Sequence, residues 1–283
     1  MMDYIYAVVF GVIQGITEFL PVSSSGHLII LHKFISLPVN NEMAFDVALH
    51  FATLLAVVWF FKGDIVKLFI AFAGGAKRFL TGKTPNYSDS DYLYEKLSWL
   101  LVLATIPAAL AGVFWEDAIE SSLRSPAVVA AMLVIVGALF IVFEKISRKT
   151  DGLNKLNWKN ALIIGLAQAF ALIPGSSRSG TTIIAGLGVG LKREATVRFS
   201  FLLSIPIIFG ASIMKIPQIF SAGGEVSFVG EEVSVLAIAF IASFVTGFLA
   251  IKYFLRFARS RSLNIFAYYR FALAALIIIT MFV

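Results

Sequence analysis

The sequence predicts an all-α integral membrane protein with six transmembrane helices and two re-entrant helical hairpins arranged as inverted repeats. Three observations support this fold class. First, 59% of the 283 residues are hydrophobic and only 14% are charged, with a mean hydropathy of +0.89, which is typical of a chain that crosses a membrane several times. Second, two of the apolar stretches are interrupted by turns. Third, the loops between apolar stretches alternate between basic and acidic.

The interrupted stretches are residues 4–31 and 160–190. Pro21 and a Ser-Ser-Ser-Gly turn break the first, and Pro174-Gly175 with a Ser-Arg-Ser-Gly turn breaks the second. Each half is too short to cross a hydrocarbon core about 30 Å thick as a helix that rises about 1.5 Å per residue. Irregular backbone at membrane depth is tolerated only where protein or a wet cavity shields it. Both stretches are therefore predicted to be re-entrant hairpins.

The uninterrupted apolar segments predict six spans, at residues 45–61, 97–115, 127–144, 199–215, 234–251 and 263–283. The positive-inside rule places four basic loops on the inner side of the membrane: 62–96, 145–159, 192–198 and 252–262. The two acidic loops, 116–126 and 216–233, are then outside. Within the first basic loop, residues 65–72 predict a short interfacial helix.

The two hairpins are related in sequence at an offset of 154 residues. Seven pairs of residues are identical at this offset: Gly11/Gly165, Gln14/Gln168, Ser23/Ser177, Ser25/Ser179, Gly26/Gly180, Ile29/Ile183 and Ile30/Ile184. Each copy consists of one hairpin and three spans, so the second copy must have the opposite orientation in the membrane. The sequence thus predicts one repeat at 1–150 and an inverted repeat at 151–283, with the first hairpin entering from outside and the second from inside.

Hairpins that enter from opposite faces are expected to meet near the middle of the membrane. The returning helices begin near Ser24 and Ser179, and helix N-termini attract anions. Arg178 adds a planar fork of donors that matches phosphate, while Glu18 and His27 lie in the first turn. Further hydroxyls come from the same turns: Ser23, Ser25, Ser176, Ser177, Thr181 and Thr182. The sequence therefore predicts a phosphate-binding site inside the membrane.

Simpler explanations remain open for several of these residues. Burying Glu18 or Arg178 costs about 2.5–3.5 kcal/mol each, yet the two could pair only to hold the fold together. His32 and the histidine at position 50 lie at the edges of apolar stretches and are predicted to be structural. For Asp46 and Arg270, an ion pair between helices or snorkelling explains their position as well as a function does.

Composition excludes some classes of function. The chain has no cysteine, so disulfides, thiolate catalysis and cysteine-bound zinc are excluded. Its net charge of +6 comes from basic residues in the short loops, which favours a membrane-orientation signal over nucleic-acid binding. The N-terminal sequence lacks the basic region of a signal peptide, and no cleavable signal is expected.

Two motifs, Gln-Gly-Ile-Thr-Glu-Phe-Leu-Pro-Val-Ser-Ser-Ser-Gly-His at 14–27 and Pro-Gly-Ser-Ser-Arg-Ser-Gly at 174–180, closely resemble those of the undecaprenyl-diphosphatase family, the bacitracin-resistance type. The resemblance covers essentially the whole chain. It implies removal of the terminal phosphate from undecaprenyl diphosphate in the bacterial inner membrane, which recycles the lipid carrier for cell-wall synthesis. It also implies a divalent cation, usually Mg²⁺, and the fold predicted above.

The resemblance assigns roles by position. Glu18, Ser24, His27 and Arg178 correspond to catalytic residues, and Glu18 with Gln14 to metal ligands. The substrate-binding positions are Gln14, Ser23, Ser25, Gly26, Ser177, Ser179 and Thr182. Many family members have Glu where this chain has Gln14. An amide oxygen can ligate Mg²⁺ but brings no charge, so Glu18 would supply the negative ligand alone.

Two functions are compatible with this sequence. One is a phosphatase in which Ser24 or His27 attacks the phosphate, or His27 activates water. The other is a polyprenyl-phosphate transporter that uses the same site, since inverted repeats with broken helices are common in transporters. Release of inorganic phosphate distinguishes the two. The site is expected to open to the outer leaflet, and the oligomeric state, including a homodimer, is left open.

Overall fold

The computed structural model describes residues 2–39, 41–82, 88–123, 125–221 and 230–282. This part of the chain forms eleven α-helices, one short 3-10 helix at Leu153–Lys155 and no strand. In chain order the helices are α1 Met2–Phe19, α2 Ser24–Phe34, α3 Glu42–Phe60, α4 Lys62–Thr81, α5 Asp89–Leu123, α6 Pro126–Ile146, α7 Trp158–Phe170, α8 Arg178–Gly188, α9 Arg193–Ser221, α10 Glu231–Ser260 and α11 Asn264–Thr280. The predicted all-α class is confirmed.

Five helices are long and apolar enough to cross a membrane: α3, α5, α6, α9 and α10. They correspond to five of the six predicted spans. The sixth, predicted at 263–283, corresponds to α11, which is apolar but has 17 residues and rises about 26 Å at 1.5 Å per residue. The protein is therefore a multi-pass membrane protein, with α11 as its shortest predicted span.

The predicted polar loop at 62–96 is largely helical, which corrects the sequence analysis. Helix α4 runs from Lys62 to Thr81, well beyond the short helix predicted at 65–72, and ends at Gly82 in the left-handed conformation (φ 67°). One face of α4 packs through residues such as Leu68 and Ala71, while Phe69 and Phe79 are exposed. The charged residues that suggested a loop are thus the polar positions of an amphipathic helix.

The two hairpins share the same turn and the same cap. Helices α2 and α8 begin and end at equivalent positions, 154 residues apart. Before each lies a serine with positive φ, Ser23 at 73° and Ser177 at 71°, a conformation that residues with a side chain rarely adopt. Each serine Oγ accepts a hydrogen bond from the amide of the glycine three residues later, at 3.3 Å and 3.1 Å. The internal repeat in sequence therefore encodes a repeated backbone geometry.

Each hairpin packs against a span from the other half of the chain. Helix α1 lies along α10, and α7 lies along α5. A Cβ atom on Gly11 would lie 2.2 Å from the Ala239 carbonyl oxygen, and one on Gly165 would lie 2.5 Å from the Ala104 carbonyl oxygen. The equivalent glycines thus allow close approach of equivalent helix pairs. The boundary between repeats near residue 150 stays a prediction.

Gly11→Ala and Gly165→Ala are expected to destabilise the protein, because the added methyl group must push two helix backbones apart. A loss of about 1–3 kcal/mol is typical of such overpacking. Thermal unfolding of the purified protein in detergent measures it. Gly112→Ala is the matched control, since no atom lies within 4 Å of a Cβ at this helical glycine. Unchanged melting temperatures for both test variants would contradict the close helix contacts.

Candidate active site

An ion pair joins the two hairpins. Glu18, in the last turn of α1, and Arg178, the first residue of α8, lie 2.9 Å apart between Oε1 and Nη2. Both side chains are buried, with exposed fractions of 7% and 13%. The Ser200 carbonyl accepts a second, longer bond from Arg178 at 3.4 Å. The acid of one hairpin and the cation of the other thus meet as the sequence analysis expects.

The other carboxylate oxygen of Glu18 contacts three side chains. Ser24 Oγ donates to Oε2 at 3.0 Å, and Gln14 Nε2 donates to it at 3.1 Å. The third is His50, whose Nδ1 lies 3.1 Å from Oε2 and 2.9 Å from Gln14 Nε2. Glu18 is therefore the centre of a polar cluster that draws on α1, α2, α3 and α8.

His50 is a member of this cluster that the sequence analysis missed by treating it as structural. It lies in α3, which packs against α1, and this packing brings its ring to Glu18. The available signal was its position inside predicted span 45–61, because an ionisable residue within a membrane span is usually functional. Asp46, one turn earlier on α3, is engaged by His32 Nε2 at 3.0 Å instead.

The hydrogen bonds of His27 go to groups outside the Glu18 cluster. Its Nδ1 lies 2.7 Å from the Ser23 carbonyl oxygen, which can only accept, so Nδ1 is assigned the proton. Its Nε2 then accepts from the Tyr269 hydroxyl at 2.7 Å, and the two rings are stacked. The arrangement fixes His27 between its own turn and α11. Tyr269 is a second residue that the sequence analysis missed, since no local pattern marks it.

Most other predicted hydroxyls stabilise the turns. Besides the caps at Ser23 and Ser177, Ser179 Oγ donates to the Leu20 carbonyl of the first hairpin at 3.0 Å. Thr182 Oγ1 lies 2.7 Å from Ser200 Oγ on α9. The Gly26 amide is occupied by its cap, whereas the side chain of Ser25 is exposed. The structure thus brings Gln14, Ser24 and Arg178 to Glu18, and uses the remaining predicted positions to shape the turns.

Arg270 corrects the expectation of an ion pair or snorkelling. Its side chain is fully buried and donates only to backbone carbonyls. One acceptor is Pro21 of the first turn, at 3.1 Å. Two are Gly175 and Ser176 of the second turn, at 2.9 and 3.1 Å. Longer bonds at 3.3 Å reach carbonyls of α6. The guanidinium therefore ties both turns to α6 and α11.

A cavity of about 720 Å³ leads to the cluster, and we call it the vestibule. Its walls include Ser25, His32, Asp46, His50, Pro174 and Lys215. It also borders Glu42 and Ile119, which lie at the ends of α3 and α5 next to segments predicted to be outside. The vestibule thus reaches His50, which contacts Glu18, from the face of the protein that the charge pattern assigns to the exterior.

The cluster offers oxygen ligands suited to Mg²⁺. Glu18 is its one carboxylate, and no group of three or more His, Cys, Asp or Glu side chains forms a metal cage within the described part of the chain. Gln14 Oε1 is buried and has no hydrogen-bond partner, so it is a free oxygen beside the carboxylate. Mg²⁺ is usually bound by one or two carboxylates together with substrate phosphates. The residues present fit such a shared ion.

Comparison with known proteins identifies the family of this chain. The family described as "Bacitracin resistance protein BacA" matches residues 7–276. Curated proteins named undecaprenyl-diphosphatase are similar over nearly their whole length. Those from Rubrobacter xylanophilus, Methanobrevibacter smithii and Paenarthrobacter aurescens are 46%, 41% and 38% identical, covering 98%, 95% and 96% of this chain and 98%, 94% and 95% of theirs. The chain belongs to the bacitracin resistance protein BacA family.

Proposed function

We propose that this protein is a membrane phosphatase that hydrolyses undecaprenyl diphosphate to undecaprenyl phosphate and inorganic phosphate. The observation that carries the proposal is the Glu18–Arg178 pair, which joins the C-terminal end of α1 to the N-terminus of α8. The names of the similar proteins support this substrate and favour hydrolysis over lipid transport alone.

The geometry supplies binding groups for a diphosphate. Arg178 presents a fork of donors that suits phosphate oxygens, and it lies at the N-terminus of α8, where the helix dipole favours an anion. The N-terminus of α2 at Ser24 adds a second such end. Fixed donors stabilise charge on the transferring phosphoryl group at no cost of reorganisation. In this mechanism Arg178 exchanges part of its contact with Glu18 for the substrate.

Glu18 is the proton acceptor in this mechanism. Ser24 Oγ already donates to it at 3.0 Å, so the attacking oxygen is either Ser24 Oγ or a water held in the same place. This oxygen bonds to the terminal phosphorus, the bridging P–O bond breaks, and undecaprenyl phosphate leaves. In the serine route, water then hydrolyses the phosphoserine, so both routes consume one water molecule. His27 acts as a positioning residue, because both of its ring nitrogens hold the turn in place.

Glu18 and the free Gln14 oxygen would hold the divalent cation, with the substrate phosphates completing its ligands. Such an ion would neutralise charge on the leaving phosphate.

We further place the protein in the plasma membrane with the vestibule open to the outer leaflet, and the lipid tail leaving sideways between spans.

Arg178→Ala is expected to abolish turnover, with a loss of at least about 10²–10³ in kcat, because it removes the fixed donor for the phosphoryl group. Arg178→Lys should also be poor, since a point charge cannot replace a bidentate fork. Phosphate release from farnesyl or undecaprenyl diphosphate by the purified variants measures both. A folded Arg178→Ala protein with near wild-type kcat would remove the arginine from the mechanism.

Glu18→Gln is expected to remove cation-dependent activity, and Gln14→Glu to be tolerated when Mg²⁺ is present. The second change puts two carboxylates about 3 Å apart, which requires a cation or a proton between them. Phosphate release with and without EDTA tests the first variant. For the second, Mg²⁺ should raise the melting temperature more than in the wild type. A Glu18→Gln enzyme with unchanged Mg²⁺-dependent turnover would show that the ligand assignment is wrong.

Ser25→Cys tests the direction of access. Ser25 is exposed and lines the vestibule, and the chain contains no cysteine. The variant is expected to react with a membrane-impermeant thiol reagent added outside intact cells, and bound substrate should slow the reaction. Reaction only with reagent supplied on the cytoplasmic side would reverse the assigned orientation of the whole molecule.

A further inference from the structure

We propose that His50 is a substrate-contacting residue of this site, which holds the diphosphate through Nε2 while its Nδ1 faces Gln14 and Glu18. The inference rests on the proposed function and adds a binding group to the same site. His50 belongs to neither of the two motifs that mark the hairpins, and α3 brings it to Glu18.

The inner side of the ring is held by two contacts. Nδ1 lies 3.1 Å from Glu18 Oε2 and 2.9 Å from Gln14 Nε2. Gln14 Nε2 can only donate, so Nδ1 accepts from it, and the same amide donates to Glu18 Oε2 at 3.1 Å. The Gln14–Glu18 pair therefore fixes the orientation of the ring, and the proton of the neutral ring is assigned to Nε2.

The outer side of the ring faces the vestibule. The side chain of His50 is 34% exposed, whereas Glu18 beside it is only 7% exposed, and His50 lines the cavity wall. Its Nε2 has no hydrogen-bond partner among the described residues. The ring thus spans the boundary between the buried carboxylate and the space from which a ligand arrives, with one nitrogen on each side.

The charges around Glu18 suit a ligand with two phosphates. Arg178 contacts Oε1 and His50 contacts Oε2, so the carboxylate separates two donor groups from different halves of the chain. A ring whose Nδ1 accepts from Gln14 carries its proton on Nε2 and can donate it to a phosphate oxygen. A diphosphate can engage both groups at once, whereas a monophosphate is shorter. His50 is therefore expected to favour the diphosphate substrate over the monophosphate product.

Two substitutions separate the functions of the two nitrogens. The amide of Asn reaches the position of Nδ1 and can accept from Gln14, but it leaves nothing at the position of Nε2. The longer Gln places an amide near the position of Nε2. The test measures how tightly detergent-purified protein binds farnesyl methylenediphosphonate, a non-hydrolysable diphosphate, and farnesyl monophosphate. It also measures kcat and KM for farnesyl diphosphate.

His50→Asn should weaken binding of the diphosphonate at least about tenfold, the effect of losing one hydrogen bond to a charged group, and raise KM more than it lowers kcat. Binding of the monophosphate should change less. His50→Gln should stay within about threefold of the wild type. His32→Asn, which alters the other vestibule histidine, is the matched control and should leave diphosphonate binding unchanged.

Wild-type affinity of His50→Asn for the diphosphonate would overturn the proposal. Equal losses in His50→Asn and His50→Gln, together with lower melting temperatures, would also overturn it, because they indicate a packing role. The proposed function is tested separately. If the wild-type protein binds the diphosphonate through His50 but releases no phosphate from farnesyl diphosphate, the His50 contact is supported and the proposed hydrolysis is refuted.

Discussion

The geometry of the site depends on the buried guanidinium of Arg270. It donates to carbonyls in both hairpin turns and in α6. In the hairpin turns, proline and glycine break the helices and leave backbone oxygens without helical partners. In a membrane such oxygens cost several kcal/mol each when unsatisfied. One arginine therefore satisfies oxygens of both turns and fixes their separation. Glu18 and Arg178 flank these turns and lie 2.9 Å apart, so the tie between the turns supports their contact.

The two turns have the same backbone but different chemistry. At the offset of 154 residues, Glu18 corresponds to Leu172 and Ser24 to Arg178, so one turn carries the acid and the other the cation. Their surroundings differ as well. Helix α2 lines the vestibule through Ser25 and Leu28, whereas α8 packs closely on α9, where Thr182 meets Ser200. The duplicated fold thus holds one site, open on one side, and neither half contains it alone.

Local features of this structure could be predicted from the sequence, and long-range ones could not. The serine caps, the broken helices and the meeting of Glu18 with Arg178 follow from turn chemistry, periodicity and charge. His50, Tyr269 and Arg270 reach the turns from α3 and α11, and a single sequence does not reveal which faces of distant helices touch. His27 was expected near Glu18, but the Ser23 carbonyl and Tyr269 compete for its nitrogens. Helix α4 was missed because its lysines suggested a loop.

The intertwined packing of the halves has a consequence for how the protein is made. Helix α1 packs on α10, and Pro21 receives its bond from an arginine 249 residues later. During synthesis the first hairpin is made long before either partner, so its turn first lacks the bond that Arg270 provides in the folded protein. Helix α11 supplies Arg270 and Tyr269 together. Neither turn therefore gains its full set of partners before α11 is in place.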